Sequence, residues 1–89
     1  MSGTDDTIDG YRARIAAADR ALVEAVNARI GLVAELKAYK EARGISFLDP
    51  DRERELLRAL QEANPGPLSE DGLRDLVEHV LALTKRELG

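Results

Sequence analysis

Residues 8–43 read IDGYRARIAAADRALVEAVNARIGLVAELKAYKEAR, and Gly44 follows. Within this run Tyr11, Ile15, Ala18, Leu22, Ala25, Val26, Val33 and Leu36 recur with the period of one helix face. Lys37, Lys40 and Arg43 fall in the last turns, where cations complement the negative end of the helix dipole, and Gly44 supplies a left-handed stop. At 1.5 Å per residue such a helix spans about 55 Å. A compact domain of this length has a radius of gyration near about 12 Å, so one chain cannot cover the whole rod. The pattern therefore predicts burial against something besides its own chain.

The remainder reads as two shorter helices. Residues 45–48 form a short apolar connector, after which Asp49 is placed to cap a helix and Pro50 to occupy its first position, where a missing amide hydrogen costs nothing. This second helix carries Leu56, Leu57 and Leu60 and meets a dense breaker, Asn64-Pro65-Gly66-Pro67. Ser69 then caps a third helix with Glu70 and Asp71 in its first turn; Leu73, Leu76, Val77, Val80, Leu81 and Thr84 form its inner stripe, and it ends near Leu88. Residues 1–6, MSGTDD, are small and polar and read as a disordered tail before one helical domain over 7–89. With no strand-like alternation or internal repeat, the class is all-α, one long helix and two shorter ones.

Composition narrows the function classes. Eighty-nine residues make one domain, which alone buries only about 60 to 65 % of its unfolded surface, so oligomerisation is a reasonable expectation. Hydrophobic residues at 44 % and charged ones at 34 % suit a folded helical protein with solvated faces. A net charge of -4 argues against binding a phosphate backbone, and hence against nucleic acid. The absence of cysteine removes thiolate catalysis and disulfide frames and fits a reducing, cytoplasmic setting. No basic and apolar leader or long apolar run points to a membrane.

The basic residues carry the functional signal. Arg29 and Lys40 are eleven residues apart, which leaves them about 20° from alignment on one helix face, inside the apolar stripe. Charges so placed must escape to water, pair internally or receive an anion. Arg52 stands in the first turn of the second helix, where the dipole disfavours a cation; it either pairs locally with Asp49 or Glu55 or faces an anionic ligand. Arg12 lies about 25 Å before Arg29 along the same rod, too far for one small ligand to touch both. For Arg12 to join the site it must come from a second chain running antiparallel.

In order and spacing, these residues resemble the all-helical class of chorismate mutases. The markers are Arg12, Ile15 and Asp19; Asn27-Ala28-Arg29; Lys37-Ala38-Tyr39-Lys40; Asp49-Pro50-Asp51-Arg52-Glu53; and Gly66-Pro67-Leu68-Ser69. The resemblance implies three-helix protomers intertwined as a homodimer, each site borrowing an arginine from the neighbouring long helix. It implies an isomerase of the shikimate pathway that converts chorismate to prephenate for phenylalanine and tyrosine biosynthesis, an intramolecular Claisen rearrangement needing no metal and no cofactor.

By the same resemblance, Arg29 and the second chain's Arg12 grip the substrate carboxylates. Lys40 donates to the ether oxygen as the carbon–oxygen bond breaks, a contact strongest in the transition state. Glu53 and the backbone near Asp49 meet the ring hydroxyl, Arg52 completes the charged wall, and Thr84 offers a hydroxyl to the ring carboxylate; the alternatives are an exposed helix residue for Glu53 and, for Thr84, a core threonine satisfied by its own helix. Leu88 is a departure, because the family normally has Gln or Glu there to give the ether oxygen a second hydrogen bond. Either activity is low, or Lys85 or Glu87 compensates, or a partner enzyme completes the chain. Relatives acting on 4-amino-4-deoxychorismate or eliminating pyruvate from isochorismate remain open alternatives, as does a non-enzymatic helical interaction or regulatory module. His79, Tyr11, Tyr39 and Asp19 read as packing, interface or surface residues.

Overall fold

The first helix starts on a side-chain cap. In the computed structural model, which describes residues 5–89, the Asp5 carboxylate accepts from the backbone amides of Thr7, at 2.8 Å, and Ile8, at 3.3 Å. Helix α1 then runs Asp6–Ala42, opening two residues before Ile8. Of the residues read as a tail, 1–4 lie outside the described residues. At the other end Gly44 takes φ +67°, its amide reaches the Glu41 carbonyl at 3.3 Å, and the Ile45 amide reaches the Lys40 carbonyl at 2.9 Å. That pair of reverse bonds satisfies carbonyls the helix would otherwise leave open, and it requires a left-handed residue at Gly44.

Helix α2 spans Pro50–Ala63, with the Asp49 side chain accepting from the Arg52 amide at 3.1 Å and proline in its first turn. Helix α3 spans Glu70–Leu88, with Ser69 Oγ accepting from the Gly72 amide at 3.0 Å. Gly72 matters sterically as well, since a Cβ there would stand 2.8 Å from Leu68 Cδ1. The described residues contain three α-helices and no strand, and the fold is all-α.

Helix α3 packs against both α1 and α2 and carries the most buried side chains, Leu73, Val77 and Thr84, four and seven residues apart on one face. Leu76, read as part of the inner stripe, is instead 44 % exposed. On α1 burial begins only at Val26, and every described residue before it is exposed. Tyr11 and Ile15 are each 59 % exposed and Leu22 55 %, although all three lie on the expected apolar face. The periodicity of α1 is as expected, but its own chain covers only the later part. The radius of gyration of 17.8 Å and extents of 65 × 25 × 17 Å follow from a rod that outruns the two helices beside it.

Candidate functional site

Where α1, α2 and α3 meet, a cleft of about 230 Å³ opens. Helix α1 contributes Arg29 and Lys40 from one face, with Val33 and Leu36 between them. The connector adds Phe47 and Leu48; the start of α2 adds Asp49, Arg52 and Glu53; the last turns of α3 add Leu81, Thr84 and Lys85. Charged and apolar side chains thus line the same cleft. Four basic side chains against two carboxylates leave a formal excess of two positive charges, in a chain whose net charge is -4. Such a local field selects small anions.

The polar residues other than Lys40 are held by identifiable partners. Arg29 Nη1 donates to Thr84 Oγ1 at 2.7 Å, and Thr84 Oγ1 donates to the Val80 carbonyl at 2.7 Å. The guanidinium can only donate and the carbonyl can only accept, so the single hydroxyl proton of Thr84 goes to Val80. Thr84, 4 % exposed, thus spends its proton within its own helix, the core alternative open to it from sequence, and at the cleft wall accepts from Arg29, holding that guanidinium in place. Lys40 is half-buried and, among the described residues, has no carboxylate within ion-pair distance. Asp49 spends one oxygen on the Arg52 amide, and this places Arg52 and Glu53 on the first turn of α2.

Arg52 Nη1 lies 3.2 Å from Glu55 Oε2, with both side chains largely in water. This local pair is the bland alternative for Arg52, and in water it contributes little; the same side chain also lines the cleft. Glu53 Oε1 lies 2.7 Å from Lys85 Nζ, across the seam between α2 and α3.

Six of the eight residues singled out from sequence, Arg29, Lys40, Asp49, Arg52, Glu53 and Thr84, thus come together. Arg12 and Leu88 do not. Arg12 lies on the exposed half of α1, with Asp9 its nearest carboxylate at 4.0 Å, and the straight helix keeps it away from its own chain's cleft. Leu88 is half-buried but outside the cleft lining, at the end of α3, where its carbonyl accepts from Lys37 Nζ at 3.2 Å. That lysine also sits over the Phe47 ring, 5.6 Å from its centroid, and so ties the end of α3 to the connector.

Lys85 is the charged residue that sequence reading undervalues: it marks itself only as a stand-in for the donor missing at 88, and its place in the last turn of α3 already explains a cation there. His79 is exposed, with Nδ1 2.6 Å from the Asp75 carbonyl one turn earlier. Among the described residues no group of three or more His, Cys, Asp or Glu side chains is gathered to hold a metal ion. Nor is any helix among them long and apolar enough to cross a membrane.

No curated protein matches the chain. The sequence model of one family, described as chorismate mutase type II, matches residues 11–87, a span that takes in nearly all of the three helices and every cleft-lining residue. On that match the chain belongs to the chorismate mutase type II family.

Proposed function

We propose that this protein is a chorismate mutase, rearranging chorismate to prephenate in the shikimate branch that leads to phenylalanine and tyrosine, in the cytoplasm. The observation that carries the reading is the cleft's excess of two positive charges, with Lys40 half-buried and, among the described residues, facing no carboxylate. Chorismate carries two carboxylates, and a site for it needs this balance. Family membership supports the same chemistry.

The roles follow from the chemistry of each group. Arg29, oriented by Thr84, presents a planar fork to one substrate carboxylate. Holding the substrate in its reactive folded shape removes much of the entropic part of the barrier. As the ether carbon–oxygen bond breaks and the new carbon–carbon bond forms, negative charge gathers on the ether oxygen. Lys40 meets that charge with an ammonium already in place, an interaction that strengthens along the reaction. Arg52 adds to the positive wall, and Glu53 with the backbone near Asp49 receives the ring hydroxyl. The rearrangement is an isomerisation in which no atom is gained or lost, so these residues need only bind, orient and stabilise charge.

The working unit on this reading is a homodimer. An antiparallel second copy would cover Ile8, Tyr11, Ile15, Leu22 and Val23, all exposed in the single chain, and carry its own Arg12 to the first copy's cleft. The test is incubation with chorismate, 4-amino-4-deoxychorismate and isochorismate, without added cofactor, followed by product identification. Loss of chorismate absorbance with formation of prephenate is the expected result. Failure to consume any of the three refutes the enzymatic reading and favours a helical binding module.

A further inference from the structure

Two carboxylates line the cleft, and they differ in their partners. Asp49 caps α2, its Oδ1 accepting from the neutral Arg52 amide. Glu53 is the other, and it is paired: Lys85 Nζ stands 2.7 Å from its Oε1, joining α2 to α3 at the cleft wall. Both side chains keep part of their surface in water, 46 % for Lys85 and 36 % for Glu53, so the pair remains within reach of a bound molecule. We infer that Lys85 is a specificity-determining residue: by holding Glu53 in an ion pair at the cleft wall, it fits the site to a substrate bearing a neutral hydroxyl, rather than an ammonium, at the ring position facing Glu53. This rests on the mutase reading above and names the substrate class for that site.

The reasoning is electrostatic. An ionised carboxylate offers about four lone-pair sites on its two oxygens, so Glu53 can hold Lys85 and still accept from a hydroxyl. A neutral hydroxyl brings no charge to conflict with the ammonium beside it. A substrate ammonium meets a different field. Its attraction to Glu53 is offset by repulsion from Lys85 Nζ, and Arg29, Lys40 and Arg52 on the remaining walls add to that repulsion. Discrimination of this kind depends as much on the group placed against the wrong ligand as on contacts to the right one. Without Lys85, Glu53 would lose its ion-pair partner on the cleft wall, and a cationic substituent could take that place.

The experiment compares kcat/KM for chorismate and 4-amino-4-deoxychorismate, with products identified, on the full chain and on Lys85→Met, Lys85→Gln and Lys85→Arg. The two uncharged variants are run in parallel, with circular dichroism, so that one poorly folded protein does not decide the matter. Removing the ammonium should raise the amine-to-hydroxyl ratio at least about tenfold, while Lys85→Arg, which restores the charge, should stay within about threefold of the parent ratio. An unchanged ratio in both uncharged variants overturns the inference, as does an equal loss on both substrates, which would make Lys85 a general anion contact. A parent protein that prefers the amino substrate also overturns it, while leaving mutase chemistry intact. A parent protein inactive on both refutes the mutase reading and this inference together.

Discussion

A shared site has a quantitative signature in mixed dimers. Arg12 and Lys40 belong to the same continuous helix and lie about 42 Å apart along it, so no single molecule brings both to one small ligand. Arg12→Ala removes a group that a protomer lends, and Lys40→Ala removes one that it keeps. Losing a preorganised donor of this sort commonly costs about 100-fold or more in turnover, so each variant alone should fall to about 1 % of the parent rate. The two are mixed in equal amounts, unfolded in urea and refolded together. Random pairing makes about half of the dimers mixed, and each mixed dimer holds one site with both substitutions and one with neither. Chorismate consumption at equal total protein should then recover to about a quarter of the parent rate, about 25-fold above either variant. A chain carrying both substitutions, co-refolded with parent chain, gives the converse: activity falls to about a quarter, where sites confined to single chains would leave about half. A mixture of the two single variants no more active than they are separately refutes the shared site.

Three further outcomes follow from the exposure of Ile15 and the contacts of Asp49 and Thr84. Ile15→Glu should leave the helix content of a chain unchanged, because Ile15 is 59 % exposed there, but burying a carboxylate between protomers costs several kcal/mol, roughly a 100-fold or greater weakening of association by analytical ultracentrifugation. An Ile15→Glu protein that remains dimeric at the parent concentration excludes that face as the interface. Asp49→Ala removes the cap of α2 and should lower stability by about 1 kcal/mol in urea denaturation, with an unchanged m-value; no loss would mean that the cap is not needed. Thr84→Val deprives Arg29 of its acceptor and should cost about 1 to 2 kcal/mol with a raised KM, whereas Thr84→Ser should retain both properties; a Thr84→Val enzyme with parental KM contradicts the positioning role.

What the sequence makes legible is set by distance along the chain. Helix ends are local chemistry: Asp49 reaches the Arg52 amide, Ser69 reaches that of Gly72, and Gly44 needs only its own φ. These could be read residue by residue, as could the shared face of Arg29 and Lys40, which follows from helix arithmetic. The Glu53–Lys85 pair could not, because it depends on how α3 lies along α2. Lys85 sits one residue past Thr84, about 100° around the helix from the buried stripe, and so reads from sequence as a solvated dipole complement. Thr84 divides the same way: a bond from its hydroxyl back to its own helix, here to Val80, can be read from the sequence, but the contact from Arg29, fifty-five residues away, cannot.

The apolar stripe of α1 shows a further reason. Its period announces that Tyr11, Ile15 and Leu22 are to be buried, yet periodicity carries no address for what buries them, and α3 covers only the later turns. On the dimer reading, the surface that covers these residues must also pass beside Arg12, one residue beyond Tyr11 on the same turn. Covering the stripe and delivering the guanidinium then become one event, because a rigid helix cannot dock one without placing the other. Substitutions on that face should accordingly lower association and turnover together, and a variant that loses dimers while keeping full activity would break the link between them.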